Sequence, residues 1–209
     1  IGRLCRDLME NKITSILVEF DPNGSLADTH TGQGSDMGLF GGFLGWEADD
    51  ERLPKSELHI SEAGIKVQFA VRDINAEHLN TYLVTLTNPK ETRTVTAIST
   101  GGGMIEVIAI DGSEVSMMGD FFETLIYCKT PDKAVELVNK EMSYDYLIVH
   151  NGDSAFIEIK AQSFPGDLLY SQLVGLDDVL AIKKLSPVLP VLSRKDVKVP
   201  FTTCNEMLE

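Results

Sequence analysis

The order of strand-like and helix-like segments between residues 123 and 185 constrains the fold most. Four segments rich in β-branched and aromatic residues predict strands: residues 123–129, 146–150, 155–161 and 179–185. Two segments with apolar residues at helical spacing predict helices: residues 131–142 and 168–174. The order strand, helix, strand, strand, helix, strand predicts a ferredoxin-like βαββαβ unit, with both helices packed on one antiparallel sheet.

The preceding part of the chain has a different pattern, dominated by strands. Six segments predict strands: residues 13–20, 65–71, 82–87, 94–100, 104–110 and 114–118. Helices are predicted in residues 1–11, 36–45 and 58–63. The turn at Gly119-Asp120 marks the change of pattern. The sequence therefore predicts an α+β fold with two domains, residues 1–119 and 120–190.

Residues after 185 predict a linker that leads to another domain. Pro187, Pro190 and Pro200 indicate an extended linker, and residues 201–209 resemble the start of a helix capped by Thr202 or Thr203. We therefore interpret residues 191–209 as a linker and the start of another domain, and expect this chain to be part of a longer protein.

Charge and cysteine content exclude several kinds of partner. Asp and Glu outnumber Lys and Arg by 32 to 18, for a net charge of −14. Such acidity repels nucleic acid and anionic membranes, and the sequence has no basic cluster to offset it. Cys5, Cys128 and Cys204 lie far apart, which predicts no disulfide framework, no metal site within this chain, and a reducing, cytoplasmic location.

A glycine-rich polar loop leads into an uncharged apolar segment between Gly24 and Trp46. Ser35 or Asp36 is a suitable N-cap, so the loop is expected to open a helix whose first N–H groups favour a carboxylate or phosphate. The alternative is a simple connection to a buried helix, with glycines that serve packing.

Three polar loops of the first 119 residues are candidates for one binding site: the glycine-rich loop at residues 24–36, residues 78–81 and residues 99–103. Their side chains and backbone offer donors and acceptors that suit the carboxylate and ammonium of an amino acid. The candidate substrate-binding residues are Gly24, Ser25, Gly32, Gln33, Gly34, Ser35, Asp36, His78, Asn80, Thr81, Ser99, Gly101, Gly102 and Gly103. Separate turns that cap separate strands are the alternative. Among the four histidines, His78 is singled out because Asn80 and Thr81 lie beside it, while His30, His59 and His150 are expected at the surface or in caps.

Four motifs in a fixed order resemble the non-cluster region of the iron–sulfur-dependent L-serine dehydratases. Gly24-Ser25-Leu26-Ala27 matches the family's Gly-Ser-Leu/Phe-Ala, and Gly32-Gln33-Gly34-Ser35-Asp36 resembles its Gly-His-Gly-Thr-Asp. His78-Leu79-Asn80-Thr81 resembles His-Pro-Asn-Thr, and Ser99-Thr100-Gly101-Gly102-Gly103-Met104-Ile105 matches Ser-Ile-Gly-Gly-Gly-x-Ile. Residues 123–185 resemble the ACT regulatory domains that follow this region in some members.

The resemblance implies deamination of L-serine, or a related small amino acid, to pyruvate and ammonia in the case of serine. It also implies a four-iron–four-sulfur cluster that acts as Lewis acid, with ligands outside this chain in a catalytic domain or subunit, and a homodimer formed through ACT-like sheets. This chain alone would then be inactive, so none of its residues is assigned a catalytic role.

One departure from the family pattern concerns proton transfer. Gln33 stands where the family usually has histidine, and a glutamine amide cannot transfer a proton near neutral pH. The first domain also resembles the allosteric-substrate-binding domain of one class of D-3-phosphoglycerate dehydrogenase, which an ACT domain follows. A serine-sensing regulatory region is therefore the alternative function.

Overall fold

The computed structural model describes residues 1–152 and 155–188, and it confirms the α+β class with two separate sheets. The six α-helices of the described residues are α1 (Gly2–Leu8), α2 (Leu26–Thr29), α3 (Ser35–Phe43), α4 (Ser56–Glu62), α5 (Asp132–Glu141) and α6 (Asp167–Val174). A 3-10 turn at Leu53–Lys55 precedes α4. Most of the predicted linker and the predicted helix start at Thr202 or Thr203 lie outside the described residues.

Within the described residues, ten strands form the two sheets. They are β1 (Ser15–Phe20), β2 (Lys66–Val71), β3 (Thr81–Thr87), β4 (Thr92–Gly101), β5 (Met104–Ile110), β6 (Ser113–Met117), β7 (Phe122–Cys128), β8 (Tyr146–His150), β9 (Phe156–Ala161) and β10 (Val179–Leu185). The predicted strands are all present, within about two residues at each end. The short helix α2 had no periodic signal in the sequence.

The first sheet has the order β2-β1-β3-β4-β5-β6. Strand β1 is parallel to β2 and antiparallel to β3, and β3 to β6 follow one another as an antiparallel meander. Helix α1 packs on α3 at very short range, because Gly2 and Gly42 face each other without side chains. Buried side chains of these helices, such as Leu8 and Phe43, join the buried face of the sheet in one apolar cluster.

The second sheet has the order β10-β7-β9-β8, and all of its neighbouring strands are antiparallel. One of its faces packs on α5 and α6 through residues such as Ile126, Val138, Ile159 and Leu173. Apolar residues of the opposite face, including Leu125, Tyr127 and Phe156, belong to the core cluster of the first sheet. The central strands β7 and β9 are therefore buried on both faces, while the edge strand β8 stays partly exposed.

This double burial differs from what the alternation in β9 indicates. From Ile157 to Ala161 the sequence alternates apolar with charged side chains, a pattern typical of a strand with one solvent-facing side. All six residues of β9 are buried, including Glu158 and Lys160. The first sheet covers the face that carries these charges.

A buried lysine of the second sheet pairs with two glutamates of the first 119 residues. Lys183 of β10 is 2% exposed, and its Nζ lies 2.9 Å from Oε2 of Glu10 and 2.7 Å from Oε1 of Glu91. Burial alone would raise the pKa of Glu91, but Lys183 and Arg93 outweigh it and hold the pKa below its ordinary value.

None of the described helices has the length and apolar character to cross a membrane.

Candidate functional site

The strand order brings the three polar loops to one end of the first sheet. The first loop follows the end of β1, and the second precedes β3, whose Tyr82 is paired with Phe20 at the end of β1. The third loop joins β4 to β5 at the same end, since Ala97 of β4 is paired with Tyr82. Antiparallel neighbours alternate direction, so the end of one strand lies beside the start of the next.

Asn80 connects the three loops by hydrogen bonds. The hydroxyl of Ser25 donates to Oδ1 of Asn80 at 2.8 Å. The backbone N–H of Ser99 donates to the carbonyl of Asn80 at 2.9 Å. Within its own loop, the N–H of Asn80 donates to Nδ1 of His78 at 3.1 Å. Residues as distant in the sequence as Ser25 and Ser99 therefore belong to one hydrogen-bonded unit.

These loops border a cavity of about 970 Å³. Nine of the residues singled out in the sequence line it: Ser25, Gln33, Gly34, Ser35, Asn80, Ser99, Gly101, Gly102 and Gly103. Helix α1 contributes Arg3, and the segment after α3 contributes Trp46 and Leu53. The result combines a polar wall with an apolar one, as is usual for small-molecule sites.

The remaining five predicted residues do not line the cavity, and each has another position. Gly24 is buried against the backbone of Leu79, and Gly32 lies in the exposed part of its loop. His78 accepts the hydrogen bond from Asn80, while the hydroxyl of buried Thr81 donates to the carbonyl of His78. Gly24, His78 and Thr81 therefore support the loops without lining the cavity.

The fifth residue, Asp36, does not cap α3, and the N-cap prediction for Ser35 or Asp36 is wrong. The N-cap is Gly34, with φ of +76° and no side-chain cap. Oδ1 of Asp36 lies 2.6 Å from Nδ1 of His30, and Oδ2 accepts a hydrogen bond of 2.8 Å from Thr31. The carboxylate is satisfied by the preceding loop and leaves the first N–H groups of α3 without a side-chain cap.

The sequence did not single out His30, which holds the first loop in place. Its ring lies 4.8 Å from the ring of Phe20 and 5.1 Å from that of Phe69. Its contact with Asp36 fixes the loop between β1 and α3. Only the spacing of His30 and Asp36, six residues apart, could have indicated such a pair.

Two aromatic residues of the cavity were also outside the predicted set of binding residues. Tyr82 is 6% exposed, and burial raises the pKa of its phenol, which has the Ser35 side chain beside it. The guanidinium of Arg52 lies 4.3 Å from the ring centre of Trp46. Hydrogen bonds from Arg52 lower the pKa of Asp50 to about 2, so this arginine is held against the indole by a charged partner.

The glycine loop between β4 and β5 requires glycine for its backbone. Gly101, Gly102 and Gly103 have φ values of +98°, +62° and +81°. An L side chain rarely adopts this region, and three in succession are available only to glycine. The loop therefore presents bare backbone to the cavity.

Within residues 1–152 and 155–188, no group of three or more histidine, cysteine or acidic side chains is arranged to hold a metal ion. Cys5 and Cys128 are both buried and unpaired, and burial raises the pKa of the Cys5 thiol to about 12. These two thiols do not form a ligand set for an iron–sulfur cluster.

The hydrogen bond between Ser25 and Asn80 gives a modest prediction. Ser25→Ala is expected to lower the free energy of unfolding by only about 0.5–1 kcal/mol, because Ser25 is exposed and water can replace the lost partner. Urea denaturation followed by circular dichroism measures this change. A loss of more than about 2 kcal/mol in the free energy of unfolding would show that this hydrogen bond stabilises parts of the fold beyond the loop itself.

Comparison with known proteins gives two similar chains, and no protein-family model matches. The probable L-serine dehydratase beta chain of Bacillus subtilis (strain 168) is 38% identical over 121 residues, which are 57% of this chain and 54% of the relative. The L-serine dehydratase beta chain of Peptoniphilus asaccharolyticus is 32% identical over 111 residues, which are 52% of this chain and 50% of the relative. The chain thus spans about half the length of the curated relatives it matches. About half of the present chain is accordingly similar to a region of serine dehydratase beta chains.

Proposed function

We propose that this chain is the non-cluster portion of an iron–sulfur L-serine dehydratase, in which it positions the substrate or regulates the enzyme. The observation that carries this proposal is the convergence of three loops on Asn80 at one cavity, in a chain whose relatives are named L-serine dehydratase beta chains. The reaction of the whole protein would convert L-serine to pyruvate and ammonia, with loss and return of one water molecule.

The cavity offers groups that match the substrate. Serine presents a carboxylate, an ammonium and a hydroxyl, and the wall presents side chains of Ser25, Gln33, Asn80 and Ser99. Arg3 adds a positive charge, although its guanidinium already binds Glu47. These groups would bind and orient the amino acid. Gln33 would donate or accept a hydrogen bond, so proton transfer would fall to other residues of the assembled protein.

The proposal assigns the four-iron–four-sulfur cluster to a catalytic domain or subunit outside this chain. When bound there, the cluster would supply Lewis acidity toward the serine hydroxyl. The present chain would complete the pocket from the opposite side, and alone it would be inactive.

The division into domains belongs to the same proposal. Residues 1–119 would form the serine dehydratase beta-like domain, which is also similar to the allosteric-substrate-binding domain, and residues 120–190 an ACT-like domain. Strands β8 and β10 are the edges of the second sheet, where a second copy could pair to give a homodimer. We place the protein in the cytoplasm, without nucleic-acid or membrane partners, because of its acidity and its buried free thiols.

Two measurements test the function. Calorimetry of this chain with L-serine is expected to show saturable binding, and the full-length protein with reconstituted cluster is expected to release pyruvate from L-serine. A cluster-loaded protein that is inert toward serine would remove the dehydratase proposal. Binding of serine without any turnover would instead favour the serine-sensing region of a D-3-phosphoglycerate dehydrogenase.

A further inference from the structure

Four ionisable side chains lie on the face of the second sheet that the first sheet covers. Glu123 of β7 is paired in register with Lys160 of β9, and Glu158 and His150 lie beside them. Glu123 and Glu158 are 0% exposed and Lys160 is 7% exposed. Charged residues are almost never buried to this extent unless they are paired.

The pairing within this cluster is unequal. Glu158 has two partners, since its Oε2 lies 2.6 Å from Nε2 of His150 and its Oε1 lies 3.3 Å from Nζ of Lys160. Glu123 has one, with its Oε1 3.5 Å from the same Nζ. Among the described residues, neither oxygen of Glu123 has a hydrogen-bond partner, whereas Glu158 lacks one only at Oε1 and keeps the contact of its Oε2 with His150. One ammonium therefore faces two carboxylates, and it lies closer to Glu158.

Burial without hydrogen bonds makes the charged form of a carboxylate costly in free energy, so such a group tends to take up a proton and become neutral. We propose that Glu123 is a buried proton-binding site that is protonated at neutral pH and makes the contact between the second sheet and strand β6 depend on pH.

The charges around Glu123 support this proposal. Burial raises the pKa of Glu123 to about 8; Lys160 opposes the rise, while Glu158 and Asp120 add to it. His150 lies on the far side of Glu158. On β10, Lys183 shares the face but binds Glu10 and Glu91. When Glu123 is protonated and neutral, the positive charge of Lys160 is balanced by the negative charge of Glu158.

Lys160 connects this proton to the cavity. Its Nζ donates to the backbone carbonyl of Ser116 in β6. The hydroxyl of Ser116 donates to Oε1 of Glu106 in β5 at 2.7 Å. Met118, two residues beyond Ser116, and Ile105, next to Glu106, both line the cavity. Ionisation of Glu123 would draw Lys160 toward its carboxylate and weaken the bond to Ser116.

The sign of the effect on stability follows from the direction of the shift. The folded protein binds the Glu123 proton more tightly than the unfolded chain does, so this residue's contribution is fully present below the unfolded pKa of about 4.5. The contribution is lost as the pH rises through about 8. In Glu123→Gln, a neutral amide mimics the protonated acid and should not titrate.

Urea denaturation between pH 5 and pH 9 tests the proposal on wild type, Glu123→Gln and the control Glu136→Gln, which alters an exposed glutamate of α5. The folding equilibrium constant of wild type relative to Glu123→Gln is expected to fall by roughly 100-fold or more over this range. The ratio of wild type to Glu136→Gln is expected to stay nearly constant. A pH-independent ratio for Glu123→Gln would overturn the proposal.

Two measurements on the wild-type protein test the proposal even if the Glu123→Gln protein does not fold. The carbon-13 signal of the Glu123 carboxyl is expected to titrate near pH 8, and a midpoint near 4 would overturn the proposal. Amide exchange in β6, corrected for the intrinsic rate at each pH, is expected to speed up between pH 7 and pH 9. Unchanged protection of β6 would refute the link from Glu123 to the cavity.

Discussion

Replacing Gly42 with alanine is expected to lower the free energy of unfolding by about 2–3 kcal/mol. A Cβ at this position would lie 2.8 Å from the backbone nitrogen of Arg3 and 2.8 Å from Cα of Gly2. Backbone atoms cannot rotate away, so α1 would have to move off α3. Because Arg3 and Gly42 both line the cavity, the same movement would change its shape.

Gly38 provides a matched control in the same helix. A Cβ there would meet nothing within 4 Å, and alanine is a better helix former than glycine. Gly38→Ala is therefore expected to leave stability unchanged or to raise it by up to about 1 kcal/mol. Urea denaturation followed by circular dichroism compares the two proteins. Equal losses for both substitutions would contradict close helix packing as the cause.

Replacing Gly24 with alanine is expected to separate the first two loops of the candidate site. A Cβ at Gly24 would lie 1.9 Å from the carbonyl oxygen of Leu79, which is far inside van der Waals contact. The two loops would move apart, and the hydrogen bond between Ser25 and Asn80 would be lost. We expect a loss of about 2–3 kcal/mol of stability and, under the proposed function, at least about tenfold weaker binding of L-serine.

Gly32→Ala is the control for this second substitution. Its nearest contact would be the carbonyl oxygen of Thr29 at 3.8 Å, which is ordinary contact. Stability and serine binding are expected to stay close to those of the wild-type protein. Calorimetry measures serine binding by both variants, and urea denaturation measures their stability. A Gly24→Ala protein that matches Gly32→Ala in both would show that contact between the first two loops is not required.

Much of the fold could be predicted because local patterns decide it. The alternation in residues 65–71 and the helical spacing in residues 131–142 are local patterns, so neighbouring residues alone indicate a strand and a helix there. The gathering of three polar loops was also predictable as a hypothesis. Its physical reason is the antiparallel meander, which the sequence suggests through successive short strands but does not place in register.

Details of the candidate site were harder to predict because they depend on contacts between distant residues. Asp36 at the start of a helix is a good N-cap by sequence, yet the approach of His30 and Thr31 gives its carboxylate other partners. Tyr82 reads as an ordinary strand residue, and only the position of β3 beneath the loops brings it to the cavity. Val188, in the predicted linker, donates its N–H to the carbonyl of Gly119 and also reaches the cavity.

The sequence by itself determined which side chains share a face of each strand, because successive residues of a strand point to opposite sides. Only the tertiary structure decided what covers those faces. Glu123, Glu158 and Lys160 share one face by their spacing and pairing, and this pattern is typical of a surface that meets water. The first sheet lies there instead, because burial of apolar neighbours such as Leu125 and Phe156 against it is favourable, and ion pairs offset part of the cost of burying the charges.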